Sequence, residues 1–96
     1  SIFSMSFSHP VRFAIVGTGN IAAFHARAIA LVPQAQLVAV HSRREEPGFG
    51  FAAQHHAEFY GDYNALLARD DVDAICITTP SGTHADLGIA AARAGK

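Results

Sequence analysis

One run of seven residues, Val16-Gly17-Thr18-Gly19-Asn20-Ile21-Ala22, constrains this chain more than any other. Two glycines and a small residue fall in the spacing G-x-G-x-x-A. The apolar segment RFAIV at 12–16 runs straight into it, and an amphipathic segment leaves it. That order reads as strand, tight turn and helix. A second apolar run, QLVAVH at 36–41, completes a strand–helix–strand unit. Such βαβ units take a right-handed crossover.

The remaining sequence repeats the alternation. Arg12 to Val16, seeded by Val11, is nearly all apolar, as expected of a central parallel strand covered on both faces. A helix is predicted over Asn20–Val32, with Ile21, Phe24, Ala28 and Leu31 on one side and Pro33 as its stop. Ser42 to Gly50 reads as a charged, glycine-containing connection. A short helix follows from about Phe51 to His56, then a very short edge strand at Glu58–Tyr60. Asp62 is placed to cap a helix over Tyr63–Arg69. Val72 to Thr78 is a third strong strand, Pro80 to Thr83 a turn, and His84 to Ala94 a last helix that Gly95 ends. The expected fold is α/β: a three-layer, Rossmann-like, doubly wound parallel sheet. Gly95-Lys96 should lead into another strand, so the sheet is expected to be truncated after the fourth helix. The exposed edge is then either unprotected or covered by a partner.

Composition removes several function classes. Ninety-six residues suit one small domain, and 50% hydrophobic content argues against disorder. One cysteine, Cys76, excludes a disulfide framework and a cysteine-rich metal site, and is compatible with a cytoplasmic location. A net charge of −1, with scattered basic residues, gives no field for nucleic acid. No apolar run reaches the ~18 residues of a membrane span. Residues 1–10 (SIFSMSFSHP) lack the basic start and long apolar core of a signal peptide and are expected to be a flexible leader.

The glycine run has a definite chemistry. Gly17 permits the tight turn, Gly19 leaves room for a pyrophosphate, and Ala22 lets the helix sit close to the sheet. Free amides of the first helical turn then face the phosphates. No G-K-[ST] follows, so this is not a P-loop. The alternative is a turn that merely links strand and helix. The end of the second strand reports on the adenosine ribose. An NAD site usually places a carboxylate there. Here the residues are His41-Ser42-Arg43-Arg44, and the first carboxylates are Glu45 and Glu46. A hydroxyl and guanidiniums suit a 2′-phosphate, which favours NADP over NAD. A solvated charge cluster is the alternative, and Glu45 reaching back would weaken the preference.

Thr78-Thr79-Pro80-Ser81-Gly82-Thr83-His84 lies where the sheet's carboxyl edge should face a cofactor. His84, in the first turn of its helix, is a candidate contact there, against a phosphate or the nicotinamide ribose; a helix-start histidine with no functional contact is the alternative. Cys76 reads as a small core residue, and Phe59, Tyr60 and Tyr63 as packing residues. His25 is as readily structural as functional. His55 and His56 are adjacent and form no metal-ligand pattern. No Ser–His–Asp set or carboxylate pair acquires a credible geometry.

With these residues in view, the chain resembles the nucleotide-binding domain of the glucose–fructose oxidoreductase / inositol dehydrogenase / rhizopine-catabolism (Gfo/Idh/MocA) oxidoreductase family. The resemblance is carried by RFAIVGTGNIAAFHARAI at 12–29, LVAVHSR at 37–43 and YGDYNALLARDDVDAICITTPSGTHADLGIAAARAGK at 60–96. Its most specific part is DVDAICITTPSGTHAD. It implies that residues 11–96 are part of an NAD(P)-binding Rossmann domain, with the substrate domain absent. The implied activity is hydride transfer between nicotinamide and a sugar, polyol or related hydroxy compound. By the resemblance, Gly17, Thr18, Gly19, Asn20 and Ile21 line the pyrophosphate. Ser42 and Arg43, beside Arg44, lie near the adenosine ribose, and Thr79, Pro80 and His84 toward the nicotinamide. Relatives carry a Glu-Lys-Pro motif just after the equivalent of Ala94-Gly95-Lys96, and its lysine assists proton transfer. No catalytic residue is therefore assigned here, and these 96 residues alone are expected to be inactive. The longer protein implied by the resemblance is a possible homo-oligomer. Two other readings use the same fold: a dinucleotide-sensing regulatory protein without catalysis, and a structural remnant.

Overall fold

The computed structural model describes residues 9–79 and 84–96. Four parallel strands form one sheet: β1 (Val11–Val16), β2 (Ala35–His41), β3 (Glu58–Tyr60) and β4 (Ala74–Ile77). Their spatial order is β3-β2-β1-β4. Four helices connect or follow them: α1 (Asn20–Ala30), α2 (Glu45–Gln54), α3 (Tyr63–Leu67) and α4 (His84–Arg93). Side chains alternate along β1 and sort the core into two layers. On one face Phe13 and Ile15 meet Ala22, Ala26 and Ile29 of α1 and Phe51 of α2. On the other Ala14 and Ala39 meet Leu66 and Leu67 of α3 and Ala91 of α4. This is the three-layer doubly wound sheet that the alternation predicts.

Two local expectations are corrected. The predicted stripe of α1 does not face the sheet: Ile21, Phe24 and Leu31 are 60%, 61% and 83% exposed, and Ala28 is also exposed. The buried face is Ala22, Ala26 and Ile29. Two alanines let the helix axis approach the strands, so the small residues turn inward and the large ones outward. The helix also ends at Ala30, with Leu31 as its C-cap, before Pro33 is reached.

The second correction concerns α2, which starts at Glu45 rather than near Phe51 and contains a non-helical Glu46. Pro47 and Gly48, read as loop residues, lie inside it. Pro47 directly follows the break, where a missing amide hydrogen costs little. Gly48 is demanded by packing: a Cβ there would lie 2.5 Å from Phe59 Cε1 and 2.7 Å from Ser42 Cβ.

Elsewhere the expectations need only trimming. Asp62 accepts from the Asn64 amide at 3.0 Å and caps α3, which ends at Leu67 rather than Arg69. The third strong strand contracts to Ala74–Ile77, with Val72 buried just before it. Gly95, at φ +80°, ends α4 as predicted. The leader through residue 8 and the turn at Pro80–Thr83 lie outside the described residues.

The amino edge of the sheet is fastened by ion pairs. Arg12 donates through its amide to Asp73 at 2.7 Å and through Nε at 3.1 Å. Those bonds hold the Asp73 carboxyl down at about 2. Arg69 forks onto Asp71 at 2.7 and 2.5 Å and reaches the Val38 carbonyl and Glu58, each at 3.3 Å. Its hydrogen bonds to Asp71 raise the guanidinium pKa still further.

Candidate functional site

Strand register sets the site. Val16 of β1 pairs with His41 of β2 and with Ile77 of β4, so three strands end along one line. Just beyond it stand Gly17, Ser42 and Thr78. The chain leaves β1 toward β2, while β4 flanks β1 on its other side. This divergence makes the crevice at which open α/β sheets bind ligands.

Gly17 has φ +111°, and a Cβ there would collide with the Thr78 hydroxyl. Both constraints exclude a side chain. The Gly17 amide donates to the His41 carbonyl at 2.9 Å, and the Thr78 hydroxyl donates to the Val16 carbonyl at 2.8 Å. The turn is thus fixed to both neighbouring strands. Gly19 is the N-cap of α1, and nothing lies within 4 Å of where its Cβ would be. No side chain caps this helix, and its first turn holds no acidic residue. Its orphan amides and positive dipole end have no side-chain cap among the described residues.

A cleft of ≈ 430 Å³ runs along this edge. Of the residues singled out from sequence, Gly17, Thr18, Ser42, Arg43, Arg44 and Thr79 line it. Gly19, Asn20 and Ile21 stand at the start of α1 but off the lining; Asn20 and Ile21 are exposed. His84 is off the lining as well, and its Nε2 donates to the Thr79 carbonyl. Pro80 lies outside the described residues.

Ser42 is 8% exposed and closes a turn on itself. Its Oγ donates to the Arg44 carbonyl at 2.9 Å and accepts from the Arg44 amide at 3.2 Å. The side chain therefore shapes the loop that presents the two arginines. Arg43 and Arg44 are exposed, and among the described residues neither forms an ion pair with Glu45 or any other carboxylate.

Val16, His41, Asp86 and Leu87 also line the cleft; the sequence places Val16 and His41 at strand ends beside the site but assigns none of the four a contact. The signal for Val16 and His41 was their position as last residues of paired strands. Asp86 and Leu87 arrive through α4, whose start reaches the same edge. Tyr63 ties that helix down by donating to the Leu87 carbonyl at 2.9 Å. Cys76 is half-buried against the α1 layer, and burial raises its thiol pKa.

The described helices include none long and apolar enough to cross a membrane. Comparison with known proteins identifies the family. Residues 11–96 match the oxidoreductase family with an NAD-binding Rossmann fold. The chain is 42% identical over 90 residues to an inositol 2-dehydrogenase of Rhizobium meliloti, covering 90% of this chain and 26% of the relative. It superposes with a TM-score of 0.85 on a 3-ketoreductase of Actinomadura kijaniata in complex with NADP and TDP-benzene. That likeness has 35% identity and covers 92% of this chain and 27% of that one. A scyllo-inositol dehydrogenase of Lactobacillus casei with bound NAD(H) and scyllo-inositol gives a TM-score of 0.81 at 29% identity, covering 91% and 26%. The chain thus spans about a quarter of the length of these relatives. On sequence and fold together, it belongs to the Gfo/Idh/MocA family of oxidoreductases, with an NAD(P)-binding Rossmann fold.

Proposed function

We propose that this chain is the cofactor-binding portion of an NAD(P)-dependent oxidoreductase acting on a sugar, polyol or related hydroxy compound, with NADP preferred over NAD. The observation that carries the reading is one sheet edge with two demands for anion that no described residue meets: the uncapped start of α1 beside the cleft, and the guanidiniums of Arg43 and Arg44 that line it. The residues fit the group. Gly17, Thr18 and Gly19 give the pyrophosphate a close approach to backbone amides. Ser42 holds the loop, and the arginines supply bidentate donors for a 2′-phosphate. Thr79, Pro80 and His84 are assigned to the nicotinamide side. Related structures carry NADP in one case and NAD(H) in another, so the preference rests on this chain's own residues.

The nicotinamide, when bound, supplies or accepts the hydride. The part of this chain is to hold and orient it. Substrate contacts and the proton-transfer lysine are assigned to parts of the fold other than residues 11–96, so these residues alone should bind cofactor and turn nothing over. Calorimetric titration of the folded chain with NADPH, NADH and AMP tests the reading. Binding of both dinucleotides, NADPH the tighter, is expected. Tighter NADH binding would overturn the preference, and binding of neither would overturn the dinucleotide assignment.

A further inference from the structure

The cleft contains a buried titratable side chain to which the assignments above give no task. His41, the last residue of β2, is 6% exposed. Its Nδ1 lies 2.9 Å from the Tyr60 carbonyl. A carbonyl only accepts, so Nδ1 carries the proton and donates. In the neutral ring that makes Nε2 an acceptor. The Tyr63 ring packs against the imidazole at 5.3 Å between centroids and restrains its rotation.

Nε2 has no hydrogen-bond partner among the described residues. It is not sealed in the core either, because no fully buried polar side-chain atom among those residues lacks a partner. The cavity that His41 lines is the cofactor cleft. Nε2 therefore opens onto that cleft, as an acceptor of fixed tautomer and restrained orientation.

We propose that His41 reads the base of the bound dinucleotide: Nε2 accepts a hydrogen bond from the exocyclic amine of adenine. The inference rests on the dinucleotide reading above and deepens it. The end of β2 is the adenosine side of such a cleft. Adenine presents a donor at its six-position. A purine with oxygen there presents a second acceptor and sets lone pair against lone pair. The arginines respond to phosphate and are indifferent to this change, so the two recognition elements separate experimentally.

The test is a titration of the folded chain with NADPH and with its hypoxanthine analogue, which differ only in the base. The adenine form should bind about tenfold more tightly, as expected for one hydrogen bond gained against one acceptor left facing another. His41→Asn places an amide where Nδ1 was; it keeps a donor for Tyr60 and offers no acceptor at the Nε2 position. In that variant the preference should shrink to within about twofold. Equal binding of the two dinucleotides by the unaltered chain would overturn the proposal while leaving the dinucleotide reading intact. So would an undiminished preference in His41→Asn. Loss of affinity for NADPH but not NADH in that variant would assign His41 to the 2′-phosphate, and would also overturn it. Binding of no dinucleotide at all would be a failure of the underlying reading.

Discussion

The two edges of the sheet use the same residue types in opposite ways. At the amino edge two arginines are held by carboxylates: Arg12 grips Asp73, and Arg69 holds Asp71 and Glu58 and lies over the Tyr60 ring. At the carboxyl edge Arg43 and Arg44 stand beside Glu45 and Glu46 in sequence and pair with neither. Helix starts on the carboxyl edge differ among themselves: Asp62 caps α3 with its side chain, whereas α1 begins at a bare glycine. The charges of Arg12 and Arg69 are met internally at one edge, while Arg43, Arg44 and the start of α1 are left open to an incoming anion at the other. The first edge holds the fold together, and the second is where binding is proposed. Mutations at the two edges should therefore move different observables.

The largest effect is expected where the open edge depends on backbone shape. Gly17→Val must force a β-branched residue to positive φ against Thr78, and should lower stability by about 3 kcal/mol and abolish NADPH binding. Denaturant unfolding with a parallel titration reads both. Gly48→Ala comes next. Its methyl group overlaps Phe59 and Ser42, so a loss of about 2 kcal/mol is expected, with weaker NADPH binding because the Ser42 loop shifts. Unchanged NADPH affinity would show that this loop does not carry the preference.

Charge removal sharpens the contrast directly. Arg43→Ala with Arg44→Ala should leave the melting temperature nearly unchanged and cost about tenfold or more in NADPH affinity, with NADH barely affected. Arg69→Ala should do the reverse: a stability loss of about 1–2 kcal/mol and an unaltered ratio of the two affinities. A matched loss of NADPH affinity in Arg69→Ala would break the division between edges.

The smallest effect is one of pH. The bonds from Arg12 keep Asp73 at about 2, below its value in an unfolded chain of about 3.9. A depressed carboxyl contributes stability that is fully present above about pH 4 and is lost as pH falls toward about 2. Asp73→Asn should flatten that part of an acid unfolding curve and leave the curve at neutral pH shallow as before.

Much of this was legible in the residues. Short-range signals worked wherever one physical cause dominated. The glycine turn needed positive φ at Gly17, the Asp62 cap needed an oxygen next to a helix start, and Gly95 needed a left-handed helix end. The α1 face failed because a periodic apolar stripe shows where large residues align, not which side packs closest. Ala22 and Ala26 buried themselves by being small. Helix α2 begins earlier than the sequence suggests because the charged, glycine-containing run at 42–50 reads as a connection. Phe59 of β3, together with Ser42, reveals why Gly48 belongs there. His41 stood in plain view at a strand end, but its tautomer depends on a carbonyl nineteen positions away in sequence, which no local pattern encodes. The self-bonded state of Ser42 was equally invisible, since a serine beside arginines reads first as a phosphate ligand.

The most direct measurement is calorimetric titration of the folded chain with NADPH and NADH, repeated with Arg43 and Arg44 both replaced by alanine. The account predicts that NADPH binds about tenfold more tightly than NADH and that the difference disappears in the double variant. Equal affinities in the unaltered chain, or a preference that survives the loss of both arginines, would contradict it.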